Sequence, residues 1–189
     1  MKSPGFSAQQ LGWVNWHDVS FTGARSHESI KTLGEMADMF LHGKTHPIDA
    51  AAVLYRVQWV EPDSGEGSLL FGSTVLEPGR VGDEYFMTHG HFHRRRDRGE
   101  FYATVAGQGA LLLMDEGRRT WMEVMTPGSL HFIPGSLAHR VANTGAIPLR
   151  FVACWPADAG HDYASIKAGG FGARLRCRNG EPALAGEER

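Results

Sequence analysis

From about residue 51 the chain repeats one texture, and that texture limits the fold more than any other feature. Short apolar runs alternate with Gly, Pro or Asn, residues that favour turns. Val53–Val60 and Leu69–Leu76 read as strands, with Glu61–Gly67 as the turn between them and Pro78-Gly79 closing the second. Further strands are expected at 84–93, 100–106, 110–115, 120–125, 129–133, 138–143 and 149–155. A last hairpin is expected over Ala173–Leu184, turning at Asn179-Gly180. Many short strands at even spacing predict an all-β sandwich or barrel.

The first fifty residues read differently. Residues 1–25 are aromatic-rich (Trp13, Trp16, Phe21) but lack a period, so a loop with one short strand is expected. Ile30, Leu33, Met36 and Met39 or Phe40 recur at helical spacing. They predict a short helix over 28–40, capped by Ser26 or Ser29 and ended by Gly43 and Pro47. The closing Gly-Glu-Glu-Arg is expected to fray. With no internal repeat and no linker, one domain over 1–189 is expected: an extension (1–50), a core (about 51–160), and a hairpin and tail (161–189).

Chemistry concentrates in Met87–Tyr102. His91 and His93 lie at i and i+2, so on a strand their side chains share a face. With Glu100 and a distant histidine on the same interior, three imidazoles and one oxygen would converge, a donor set for Fe, Mn, Ni or Zn that leaves positions open. His89 would share that face too if the strand were regular. The run Arg94–Arg98 reads as a solvated loop that adds positive field beside the ligand strand.

Composition narrows the partners. A formal net charge of −2 gives no reason to expect nucleic-acid or membrane binding. The start of the chain lacks a signal-peptide run and no apolar stretch approaches the roughly 20 residues of a membrane span, so a cytoplasmic protein is expected. Cys154 and Cys177, far apart, suggest neither a disulfide framework nor a thiolate metal site.

The motifs narrow the fold. His91-x-His93, Glu100 and Gly107, followed by Gly128, Pro134, His139 and Asn143, resemble the two signatures of the cupin superfamily in their usual order. Two features depart from that pattern. Gly135 sits one place early, with Ser136 where cupins usually have Gly, and six residues rather than three or four separate His93 from Glu100. The longer gap, with Thr88-x-Gly-His-Phe-His93, Glu100-x-Tyr102 and Ala138-His-Arg140, closely resembles the cupin-type phosphoglucose isomerases. Thr74–Gly82, Pro156–Tyr163 and Gly170-Phe171 extend the match over most of the chain from about residue 50.

That resemblance implies a cupin jelly-roll with a short N-terminal helical segment and peripheral strands. It implies the metal ligands His91, His93, Glu100 and His139, holding one divalent ion per subunit, with Fe2+ the first expectation and Mn2+, Ni2+ or Zn2+ alternatives. Tyr55, Thr74 and Thr88 match substrate-phosphate positions, Tyr102 lies nearer the sugar, and His161 and Tyr163 line it. The implied activity is metal-dependent interconversion of glucose 6-phosphate and fructose 6-phosphate. Glu100 would be the base for a cis-enediol, with a metal-assisted hydride shift as the competing route, and His161 would serve ring opening or proton shuttling. Trp155 stands where related enzymes can carry Tyr, which keeps an aromatic wall but loses a hydroxyl. A homodimer is expected, since sheet edges and faces tend to pair. The alternatives are a mannose-6-phosphate isomerase, a cupin dioxygenase, or a non-catalytic sugar-phosphate-binding cupin.

Overall fold

The structure is a computed structural model that describes residues 10–186, apart from 24, 63–66 and 168. Most of the turn expected over 61–67, the start of the chain and its last three residues therefore lie outside the described residues.

In chain order the strands are β1 (Trp13–Asn15), β2 (Ser20–Thr22), β3 (Ser26–Thr32), β4 (Val53–Val60), β5 (Leu69–Leu76), β6 (Arg80–Val81), β7 (Glu84–Tyr85) and β8 (Phe92–His93). They continue as β9 (Glu100–Ala106), β10 (Gly109–Met114), β11 (Thr120–Met125), β12 (Leu130–Ile133), β13 (Ala138–Asn143) and β14 (Leu149–Pro156). The last three are β15 (His161–Asp162), β16 (Ala173–Arg178) and β17 (Glu181–Gly186). Two helices of one turn each, α1 (Leu33–Met36) and α2 (Ala164–Lys167), complete the set with a 3-10 turn at Ala37–Met39.

One six-stranded antiparallel sheet runs β12-β9-β14-β5-β4-β3. A second layer begins with β11-β10-β13 and is continued through bridges from Met87 to Ala142 and from His91 to His139. Apolar residues of both layers meet in one core, with Leu54, Leu76 and Phe151 from the first and Leu111, Leu113 and Val141 from the second. This is the all-β cupin barrel. Asn143, fully buried, donates to the carbonyls of Leu76 and Ile147 and accepts from the Gly145 N–H, so one amide side chain fixes the β13–β14 corner and ties it to β5. The Asn179-Gly180 turn takes φ of 54° and 88°, the pair of positive angles a two-residue hairpin needs.

The helix expected over 28–40 is mostly strand. Ser26–Thr32 pairs with β4 from Ser26↔Val60 to Thr32↔Val53, and the cap is Thr32 rather than Ser26 or Ser29. Thr32 and Glu35 form a reciprocal capping box, which starts α1 just where the sheet ends. Leu33, Met36 and Phe40 do pack inward, but Ile30 faces partly outward on β3. Backbone pairing along β4 outweighs a helical spacing carried by so few residues.

The strand expected over 84–93 is also interrupted. Only Glu84–Tyr85 and Phe92–His93 are ladder segments, and Gly90 between them takes φ of 76°. A side chain there would press on Arg140 and Phe171.

Candidate metal centre

Gly90 decides which histidines face inward. Its positive φ breaks the strand alternation, and His89 stays outside the donor cluster on the cavity wall, its ring edge-on against Tyr163 at 4.7 Å between centroids. His91 follows and exchanges backbone hydrogen bonds with His139 on β13 at 3.2 and 3.0 Å. Their rings then meet at 4.4 Å, and the His93 ring lies 5.6 Å from His91 and 5.2 Å from His139. Glu100 opens β9 on the facing sheet.

One donor atom from each of His91, His93, Glu100 and His139 lies within 4.8 Å of the others. The Nδ1–H of His93 donates to the Arg98 carbonyl at 2.7 Å, which leaves Nε2 as an inward lone pair. Nε2 of His91, Nε2 of His139 and Oε1 of Glu100 are buried without an aligned hydrogen bond, although the last two lie 2.5 Å apart. Orphaned buried polar atoms are costly, and a divalent cation at their meeting point would satisfy them together. The donor set therefore fits a metal.

Electrostatics prepares the same set. Burial holds His91 well below the ordinary imidazole value, and the neighbouring imidazoles of His139, His161, His93 and His89 push it the same way. Burial also lowers His93, against an opposing pull from Glu100. Burial alone would raise Glu100, but His139, His93 and the Tyr102 hydroxyl outweigh it and hold its carboxyl below the usual range. Lowered values at His91, His93 and Glu100 favour the free imidazole lone pairs and the carboxylate that a cation requires.

Above the cluster lies a cavity of about 360 Å3. Tyr55, Thr74, Thr88, Tyr102, His161 and Tyr163 all line it, so the structure gathers every residue singled out for substrate around one space. Burial pushes Tyr55 up to about 12 and Tyr102 well above the ordinary phenol, so both remain hydroxyl donors. Thr88 Oγ1 accepts from the Val141 N–H at 3.0 Å, which directs its own O–H elsewhere. His161 sits at the rim, its ring stacked on Tyr163 at 5.5 Å and 4.4 Å from the His91 ring; burial of the imidazole lowers its pKa against the pull of Glu100. Trp155 lies flat over Gly72, where a Cβ would come within 2.8 Å of the indole. Trp59 and Trp155 thus supply apolar wall at the same opening.

Two features escaped the sequence reading. Lys31 and Ser29 reach the cavity from β3, because the register places Lys31 opposite Tyr55. Lys31 is the one Lys or Arg among the described lining residues. Ser26–Thr32 is polar at every position but Ile30, so no alternation in the sequence marked the face that lines the cavity. The second is that the arginine run, exposed at Arg94, Arg95 and Asp97 as a solvated loop should be, is also clipped to a distant segment. Arg95 and Arg98 both bind Asp158, Arg96 binds Asp162 at 2.7 Å, and the Arg96 guanidinium lies 4.1 Å from the Phe92 ring centroid. The six-residue gap explains the shifted glycine as well. Gly135 lies against the Arg96 carbonyl, where a Cβ would collide, and Ser136 takes the left-handed φ of 66° while donating to that same carbonyl at 3.1 Å.

A two-layered antiparallel β fold that presents three imidazoles and a buried carboxylate at the floor of a hydroxyl-lined cavity is a cupin with a site able to hold a divalent metal. The family described as Glucose-6-phosphate isomerase (GPI) matches residues 27–184. The glucose-6-phosphate isomerase of Thermococcus gammatolerans is 39% identical over 163 residues, covering 85% of this chain and 86% of its own. That of Pyrococcus horikoshii is 48% identical over 130 residues, 68% of each chain, and that of Sinorhizobium medicae 40% over 124 residues, 65% of this chain and 58% of its own. The chain belongs to the glucose-6-phosphate isomerase family.

Proposed function

We propose that this chain is a metal-dependent isomerase interconverting glucose 6-phosphate and fructose 6-phosphate. The observation that carries the reading is the convergence of His91, His93, Glu100 and His139 beneath a cavity walled by hydroxyls. These four residues would hold one divalent ion, with Fe2+ the first candidate and Mn2+, Ni2+ or Zn2+ compatible with the same donors. A bound divalent ion supplies Lewis acidity toward oxygens of the open-chain sugar.

The protein's own groups do the rest. Glu100, ionised and next to the cavity, takes the proton from one of the two carbons and returns it to the other, passing through a cis-enediol. The Tyr102 hydroxyl, bonded to Glu100, holds that carboxylate in place. His161, kept neutral by burial, can accept a proton at the rim while the sugar ring opens, and Tyr163 holds its ring by stacking. Tyr55, Thr74 and Thr88 offer hydroxyls to the phosphate, and Lys31 adds a charge that the hydroxyls lack. Trp59 and Trp155 shield the reacting carbons from water. The competing route, a hydride passing directly between the two carbons, would leave no solvent deuterium in the product.

We also infer one domain over 1–189, since the core joins residues from Leu33 to Leu175. A homodimer is supported by exposed Phe101, Leu130 and Phe132 at the β12 edge of the large sheet. Among the described residues no helix is long and apolar enough to cross a membrane, and a doubly charged sugar phosphate stays in the compartment where it is made, which favours the cytoplasm.

Protein stripped with chelator should lose fructose-6-phosphate turnover, and reloading with Fe2+, Mn2+, Ni2+ or Zn2+ one at a time should restore it and rank the metals. Binding of a metal at the site without turnover for any of them would defeat the isomerase reading.

A further inference from the structure

A second cavity, about 600 Å3, lies on the other side of His89, enclosed by α1, the segment from Ile166 to Arg174 and the Arg140 side chain. Its charges are unevenly satisfied. Arg140 is 5% exposed; one of its NH2 groups donates to the His89 carbonyl at 2.6 Å, another approaches the Met87 sulfur, and its Nε, without a partner, is buried beside Gly90. Phe171 covers one face of the guanidinium at 4.3 Å, and no carboxylate among the described residues lies within ion-pair distance of it. Arg174 and Lys167 add two more cations; Glu84 engages the first at 2.8 Å and no carboxylate among the described residues engages the second.

The lining also holds two acids, Glu35 and Asp38. Each is already matched by a lysine, Glu35 by Lys31 at 3.1 Å and Asp38 by Lys44 at 2.9 Å. Local charge is therefore positive, and a buried guanidinium without a counter-ion is costly unless something outside the chain neutralises it. The volume is within the range of small-molecule sites and too large to be a packing defect.

The geometry points to a second ligand site here, for a compact oxyanion of the phosphate or carboxylate class, distinct from the cavity over the metal cluster. The anion would sit against Arg140, with Lys167 at the rim and Arg174 completing the cationic side. The site does not depend on the isomerase reading, because none of the four candidate metal ligands lines it.

Calorimetric titration of the metal-loaded protein, saturated with fructose 6-phosphate to fill the metal-side cavity, tests this, with inorganic phosphate as one probe and acetate as the other. Lys167→Glu reverses a charge at an exposed position, and Ala173→Phe fills the space without changing charge. Each should weaken binding of the tighter probe at least tenfold. Whichever probe binds more tightly names the source of the oxyanion. The site is overturned if neither probe binds or if either cavity variant binds like the parent. Melting curves of each variant exclude loss of fold as the cause.

Discussion

Lys31, paired with Glu35 at 3.1 Å, is the one lysine or arginine among the described residues lining this cavity, so it is where phosphate recognition is most exposed to a single substitution. A hydrogen bond to a charged group contributes about 1.5–3 kcal/mol, so Lys31→Gln should raise KM for fructose 6-phosphate by about 10- to 100-fold. Steady-state kinetics should show kcat changing by less than about threefold, since Lys31 stands apart from the metal cluster. A fall in kcat with KM unmoved would place Lys31 elsewhere in the reaction. The candidate ligands were legible in sequence because His91, His93, Glu100 and His139 fall in register with the cupin motifs; a His-x-His pair by itself would more often be structural. Lys31 was not, because the same few apolar residues from Ile30 to Phe40 fit a helix and a strand followed by one helical turn.

At the level of elements, the decisive contact joins the Arg94–Arg98 insert to the segment that carries His161 and Tyr163. Asp158 receives two arginines and Asp162 a third, and β15 pairs directly with β8, His161 opposite His93. The arginines and their carboxylates are partly exposed, so the clip positions the segment more than it stabilises the fold. Asp158→Asn should lower kcat/KM several-fold and speed hydrogen exchange across residues 159–163, with the melting temperature little changed. High salt should reproduce part of the effect in the parent protein. Unchanged exchange in that segment would show that the clip holds nothing. Charge pattern alone could not reveal this, since the acids lie some sixty residues from the arginines. The strands were legible because Gly and Pro mark their ends; the break at Gly90 depends on Arg140 and Phe171, which reach it only in the folded barrel.

For the molecule as a whole, the cluster sets how stability follows pH. His89, His91, His93 and His161 are all lowered by burial, so on acidification the unfolded chain protonates first and the native state lags. Stability should be flat above about pH 6.5 and fall below it, continuing down to the lowered native values. Glu100, also lowered, adds a further loss on passing below the ordinary carboxylate range. Denaturant midpoints of chelator-treated protein from pH 8 to pH 5 measure this, and a midpoint that rises on acidification would contradict it. Phe132→Lys, placed in the exposed patch with Phe101 and Leu130, should convert a dimer to a monomer by sedimentation while leaving the barrel folded. A parent that already sediments as a monomer would rule out the pairing.

The hydrogen bonds that lock His91 to His139 also impose an order in time. During synthesis His91, His93 and Glu100 emerge together, and His139 follows about 40 residues later, roughly 2–8 s at ordinary elongation rates. Until then three ligands sit on a chain with no β13 to align them. Under the proposed function, discrimination among metals would belong to the finished barrel, where all four candidate ligands first meet, and an ion captured early would have to be surrendered or re-seated.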